Sequence, residues 1–265
     1  MTALQPREAG AFMQQLGPAL TAGFGLPRAV LVASAHSLAR QPTLLGAPQH
    51  HAVYDFGGFD PQLQTLRYDA RGALPLTEAV MALLQAAGVP AQRTDAGGLD
   101  HGIWTPLRYM FPAANIPVLP LAWPADWAPA RLFELGQALA PLAADGVLII
   151  GSGSITHNLQ RVFAGGRMAA VDQPATPEST AFRDWFAARA AAADWPALWA
   201  YRTQAPFARL MHPTDEHLLP WFVAAGAGSG SSSSAPGLRI HASQTHGDLG
   251  MDMYAFGPSA LTLMG

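Results

Sequence analysis

Two apolar patterns alternate along this chain. Short contiguous runs, Arg28-Ala-Val-Leu-Val-Ala-Ser34, Ile116 to Trp123 and Val147 to Ile150, are too short for helices and are bounded by Gly, Pro or polar residues. They read as strands buried on both faces of a parallel sheet. Between them lie stretches with apolar residues at helical spacing. Pro6 to Phe24 carries Ala11, Met13, Leu16 and Leu20, with Gly17-Pro18 as a weak point, and Leu76 to Ala87 carries Leu76, Val80, Leu83, Leu84 and Ala87 before Gly88. Ala128 to Ala144, Pro177 to Ala193 and Pro213 to Ala225 follow the same rule. Pro120 argues that its strand lies at an edge or breaks there. Leu44 to Leu74 reads as loop with short extended pieces, Gly98 to Trp104 as a glycine loop, Gly226 to Gly237 as a flexible Gly/Ser loop, and Arg239 to Phe256 as final strands. The expected fold is α/β: a single domain over residues 1–265 with a central, mostly parallel or mixed β-sheet flanked by helices. The active site is expected at the carboxyl edge of the strands, where open α/β sheets bind their ligands.

Composition narrows the function. At 265 residues, half of them apolar, the chain is long enough for a substantial core, and 23 prolines with 26 glycines imply many fixed turns. No window approaches the ~18 consecutive apolar residues of a spanning helix, and no basic region followed by an apolar run opens the sequence. A cytoplasmic protein is therefore expected. A net charge of -3 with scattered arginines gives no basic face, so nucleic acid is not an expected partner. Without cysteine, any metal ligands must be His, Asp or Glu. Trp195 and Trp199 suit a subunit interface and a local core equally, so monomer and homodimer both stay open.

Histidines carry the candidate chemistry. Val147 to Ile150 runs into the turn Gly151-Ser152-Gly153-Ser154 and then His157 and Asn158; the strand after Arg28 runs into Ala35 and His36. If the two strands are parallel neighbours, both imidazoles project from one carboxyl edge. His101 follows Asp100 in the glycine loop, and His217 stands beside Glu216 in the first turn expected for the Pro213 helix. Imidazole and carboxylate without thiolate is the ligand set of a non-haem Fe(II) or Zn site. Any one histidine taken singly reads better as an ordinary core or surface residue; only the four together point to a site. His50, His51, His241 and His246 read as solvated. Arg161 and Arg167 are candidates to receive a substrate carboxylate.

Five motifs then add a resemblance. Ser34-Ala35-His36, YDFGGF at 54–59, LDHGIWTPLRYMFPAANIPV at 99–118, GVLIIGSGSITHNL at 146–159 and HPTDEHLLPWFVAAGA at 212–227 together resemble the class III (LigB-like) extradiol ring-cleavage dioxygenases, the 4,5-DOPA dioxygenase branch above all. The resemblance implies a metal, Fe(II) or in the same site Zn(II), held by His36, His157 and His217, with His157 a ligand or a close base. It makes His101 the acid/base histidine facing a catechol substrate that reacts with O2. Asp100 beside His101 is placed to orient that imidazole, or is a turn aspartate; Trp104 and Phe56 either pack on the substrate ring or belong to the core. The sequence departs from the family pattern at Tyr54, where a histidine is usual, at Asp60, where proline is usual, and at Ser37, where a bulky aromatic is usual. The family's first strand and its ligand histidine are also absent, so the chain is expected either to begin at an internal methionine or to be a natural form lacking part of the site. The alternative function is a non-catalytic relative that keeps the scaffold for binding or assembly; zinc-dependent hydrolysis is a third.

Overall fold

The computed structural model describes residues 7–57, 60–230, 235–258 and 260. Its centre is a five-stranded sheet of β1 (Ala29–Leu38), β2 (Thr43–Leu45), β3 (Gln92–Thr94), β4 (Val118–Trp123) and β5 (Val147–Ser152). The spatial order is β3-β2-β4-β1-β5. β1 runs parallel to both β4 and β5, with Ala29 opposite Val147 and Ser34 opposite Ser152, while β2 is antiparallel to β4 and parallel to β3. The two strands that lead to His36 and His157 are therefore parallel neighbours. The outer side of β5 pairs with no strand among the described residues.

The longer helices are α1 (Glu8–Phe24), α2 (Leu74–Ala86), α3 (His101–Met110), α4 (Pro129–Leu139), α5 (Pro177–Ala191) and α6 (Pro220–Ser229). The strand period of two divides the core between the sheet's faces. Ala29, Leu31 and Ala33 of β1 join Leu132, Phe133 and Phe222 of α4 and α6 on one face, whereas Val30 and Val32 join Met13, Ile103 and Trp104 of α1 and α3 on the other. Both sets are buried, which is why the strand reads as a continuous apolar run. Burial of each of the Val, Leu, Ile, Met and Phe side chains among them contributes about 1.5–3 kcal/mol. No helix among the described residues is long and apolar enough to cross a membrane.

Several elements differ from the sequence expectations, each for a tertiary reason. α1 continues through Pro18; Gly17 lies where a Cβ would sit 1.9 Å from the Met110 carbonyl oxygen, so its glycine permits the close crossing of α1 and α3. β4 is central, not an edge strand. The Pro117 carbonyl faces β1, accepting from Val30 N, so by strand alternation the Pro120 nitrogen faces β2, where the pairing covers only Leu121 and Ala122. Pro141 splits the Ala128 to Ala144 stretch into α4 and a short turn of helix at Pro141–Ala144. The expected Pro213 helix starts only at Pro220. Gly226 to Ser229 are its last residues rather than loop, with Gly226, Ala227 and Ser229 buried; a Cβ on Gly226 would lie 2.0 Å from the Phe133 oxygen, and one on Gly136 would lie 2.1 Å from the Val223 oxygen. Small residues let α4 and α6 touch backbone to backbone. Residues 231–234 of the expected flexible loop lie outside the described residues. The final strands form two antiparallel pairs, Leu238–His241 with Met253–Ala255 and Gln244–Thr245 with Leu249–Gly250.

Candidate metal and catalytic site

The carboxyl ends of β1 and β5 deliver the site. Where β1 ends, Ser34 and Ser37 donate to the two oxygens of buried Asp100 at 2.7 and 2.6 Å, and Asp100 also caps α3 by accepting from Gly102 N at 2.9 Å. A carboxylate at a helix N-terminus satisfies free N–H groups and complements the helix dipole. His101 is thus the first residue of a helix, not part of a glycine loop. Gly102 is needed because a Cβ there would lie 2.4 Å from the Ser34 hydroxyl. Ser152, at the end of β5, donates to the Gly102 carbonyl at 2.5 Å, so one helix start is tied to both strands.

The turn after β5 is laced to the segment before α6. Ser154 N donates to the His217 carbonyl at 2.8 Å, His157 N to the Met211 carbonyl at 3.0 Å, and the Asn158 amide to the Leu210 carbonyl at 2.6 Å. Fully buried His212 bonds through Nε2 to the Ile155 carbonyl at 2.8 Å. His217 accordingly lies in an irregular turn ahead of α6, not in a helix's first turn. The lacing stacks His157 on His217, with ring centroids 3.4 Å apart and planes 8° from parallel. His217 is 5.0 Å from His36, which is 4.0 Å from His101. The four histidines singled out from the sequence therefore form one continuous row. They line a cavity of about 1450 Å³ that also runs along the outer side of β5.

Carboxylates bond two rings of the row, His217 within it and His101 at one end. Glu216 accepts from His217 Nδ1 at 3.0 Å, and this bond holds its carboxyl down at about 2. The partner of His101 is Asp55, not Asp100: one Asp55 oxygen accepts from the His101 ring Nδ1 at 2.9 Å and from its backbone N–H at 3.1 Å. Burial pushes Asp55 up, but the bonds from His101 outweigh it and leave the carboxyl below its ordinary value. In the other two rings, burial first and neighbouring imidazoles second lower His36 to about 4 and His157 to about 3. Both rings are neutral at pH 7, the protonation state a metal ligand requires. Among the described residues, the one group of three that places its ligand atoms within 4.8 Å of one another is His36, Asp55 and His101, which shares only His36 with the expected set of His36, His157 and His217. A set of imidazole and carboxylate donors without thiolate, with neutral rings facing a cavity, fits a non-haem Fe(II) or Zn ion.

Asp55 escapes a reading of the sequence because its segment looks like an aromatic glycine turn. Its only signal there is a carboxylate between two aromatics, Tyr54 and Phe56. Phe56 lines the cavity edge-on to His101, with centroids 5.5 Å apart, whereas Trp104 is buried and donates to the Val53 carbonyl in the core. Of the histidines expected to be solvated, only His51 is; His50 is fully buried, His246 is buried and bonded to the Ala169 carbonyl, and His241 stacks on Phe12. Arg161 is committed to Asp248 at 2.6 Å and Glu178 at 3.6 Å rather than open to a substrate. Trp195 is core, packed on Phe133.

Comparison with known proteins matches this arrangement to one family. A model of the catalytic LigB subunit of aromatic ring-opening dioxygenase matches residues 5–252. The 4,5-DOPA dioxygenase extradiol of Beta vulgaris is 38% identical over 231 residues, covering 87% of this chain and 83% of that protein. The protein of the same description from Escherichia coli (strain K12) is 31% identical over 209 residues, covering 77% and 74%. A crystal structure of an uncharacterized protein from Escherichia coli K12 superposes with a TM-score of 0.72 at 27% identity, covering 94% of this chain and 92% of that one. The chain belongs to the LigB-like class III extradiol dioxygenases.

Proposed function

We propose that this chain is a metal-dependent extradiol dioxygenase that opens the ring of a catechol with O2, with His36, His157 and His217 holding Fe(II) and His101 acting as acid and base toward the substrate. The observation that carries this reading is the row of four imidazoles at the joint carboxyl edge of β1 and β5, two of them held neutral by burial. Zn(II) fits the same donors, but ring opening by O2 calls for the redox-active ion. When bound, Fe(II) supplies a Lewis-acidic, redox-active centre at which a catecholate and O2 meet. The residues of the chain do the rest. His101 is placed to take the proton of a catechol hydroxyl and to return it as the oxygen–oxygen bond breaks. Phe56 offers a ring edge beside His101, suited to a flat aromatic substrate. Relatives named 4,5-DOPA dioxygenase extradiol support a dihydroxyphenyl amino acid or a related phenolic acid as substrate.

Anaerobic Fe(II) loading followed by oxygen uptake with a panel of catechols tests this. Stoichiometric metal and uptake with at least one catechol are expected, and His101→Ala retains the metal while turnover falls by about 10²–10⁴-fold. Metal bound in full with no uptake across the panel would overturn the reading in favour of a non-catalytic relative. Hydrolysis of an ester or amide panel by the Zn(II) form would favour hydrolytic chemistry.

A further inference from the structure

The geometry points to Asp55 as the positioning residue that fixes His101 in its Nδ1–H tautomer and leaves Nε2 as a bare lone pair on the cavity side. This deepens the proposed function, since it rests on His101 being the acid/base group. An ionised carboxylate has only acceptor sites, so a 2.9 Å contact from Asp55 to His101 Nδ1 requires the hydrogen to sit on that nitrogen. The same oxygen accepts from the His101 backbone N–H at 3.1 Å, which sets the carboxylate against the first turn of α3 rather than toward the cavity. Which nitrogen of a histidine carries the proton is decided by the bond its other nitrogen makes, and for His101 that bond goes to Asp55. With Nδ1 taken, the ring reaches the cavity it lines through Nε2, the form able to accept a hydroxyl proton.

Asp100 cannot do this. Its two oxygens are spent on Ser34, Ser37 and Gly102 N, so adjacency in sequence does not make it the partner of His101. Asp55 is also pre-positioned. The chain before it is pinned by Val53 N to the Leu99 carbonyl at 2.7 Å, by Leu99 N to the His51 carbonyl at 2.9 Å, and by the Trp104 indole to the Val53 carbonyl at 3.1 Å. Tyr54 is held by its hydroxyl on the Leu66 carbonyl. A carboxylate fixed this way holds the imidazole without reorganising when substrate arrives. His36 Nδ1 lies 4.0 Å from the second Asp55 oxygen, outside hydrogen-bond distance, so Asp55 is engaged by His101 rather than by His36.

The test is 15N NMR of the histidine-labelled full chain, with the His101 signals assigned by their loss in His101→Ala. The wild type is expected to show a protonated Nδ1 and an unprotonated Nε2 for His101. Asp55→Ala shifts His101 to a mixture of tautomers, and Asp55→Asn, which keeps an accepting oxygen, shifts it less. Metal content stays stoichiometric in both variants, while kcat falls about 10- to 100-fold in Asp55→Ala with KM little changed. In a His101→Ala background Asp55→Ala costs nothing further. An Nε2–H tautomer in the wild type, or an unchanged tautomer in Asp55→Ala, overturns the proposal. Loss of metal from Asp55→Asn also overturns it, by making Asp55 a ligand with His36 and His101. A wild type that turns over no catechol defeats the functional reading alone, because the tautomer is read without turnover.

Discussion

The imidazole row and the ion-pair network between α5 and the C-terminal strands are both polar clusters in an apolar chain, but they are built on opposite principles. In the network every charge is answered. Asp252, its side chain fully buried, accepts from Arg183 Nε at 2.6 Å and Nη2 at 3.0 Å and lies 3.4 Å from Arg239 Nη1, while the same Arg183 Nη2 donates to the Ser243 carbonyl. Asp248 accepts from Arg161 at 2.6 Å and from the Thr176 hydroxyl. In the row, only His101 and His217 are hydrogen-bonded to a carboxylate. His36 and His157 make no ring hydrogen bond among the described residues; other imidazoles pack against them, and an Asp55 oxygen lies 4.0 Å from His36 Nδ1. A saturated cluster holds elements together; a row of desolvated rings with free lone pairs is costly unless a ligand uses it.

The comparison predicts unequal responses to truncation. Asp252→Ala leaves Arg183 without a carboxylate in the interior, while Arg239 keeps Asp184 at 3.7 Å, and is expected to cost about 3–5 kcal/mol, a larger loss of stability than any change in the row should bring. Chemical denaturation of the metal-free chain measures it. A loss below ~1 kcal/mol would mean that water already screens the network, and the contrast with the row would fail.

The same contrast explains which parts were legible in the sequence. β1 was visible because a strand buried on both faces must be a continuous apolar run; β5 has the same apolar run but, at the sheet's edge and along the cavity, is half-buried beyond Val147 rather than buried on both faces. Their histidines were visible because they follow those runs. Two features of α6 were hidden: its glycines look like a loop until α4 lies against them, and its start at Pro220 follows from the need of Gly153 and Ser154 to reach the His217 carbonyl. The loop reading of His101 failed because Asp100 caps a helix, a role its glycine neighbours disguised. Asp55 was invisible as the partner of His101 because 46 residues separate them and no local spacing encodes the contact. Buried His50 shows the reverse, a histidine beside another in a polar stretch that the fold nonetheless encloses.

A second, intermediate effect is a pH dependence carried mainly by the row and its support, with His50 and His241 lowered by burial elsewhere. Burial lowers His36 and His212 to about 4 and His157 to about 3 in the folded chain, against an ordinary value near 6.5. Between those values the unfolded chain binds more protons than the folded one, so unfolding free energy rises with pH. The metal-free protein is therefore expected to have its full stability above about pH 6.5 and to lose it progressively as pH falls toward 4. Glu216, depressed to about 2, adds a further loss only below its unfolded value of 4.5. Thermal unfolding from pH 7.5 to 4 should show a falling Tm, less steep in His157→Ala. A flat profile would mean that the rings are solvated and that the contrast with the saturated network is wrong.

The smallest effect on stability is expected where the effect on function is greatest. His36→Ala removes a part-exposed ring that faces two other imidazoles, and it opens space into a cavity rather than a void in packed core. The packing that the ring provides and the unfavourable surroundings it endures offset each other, so the metal-free variant should lie within about 1 kcal/mol of wild type. His217→Ala behaves similarly, with a small added cost because Glu216 loses its partner. Both variants are expected to lose stoichiometric metal, and with it the rise in Tm that metal gives the wild type. If both retain metal in full, His36, His157 and His217 are not the ligand set. If either instead unfolds at neutral pH, the ring is a structural member like Arg183, and the division between a saturated network that supports the fold and an unsaturated row that serves chemistry would have to be withdrawn.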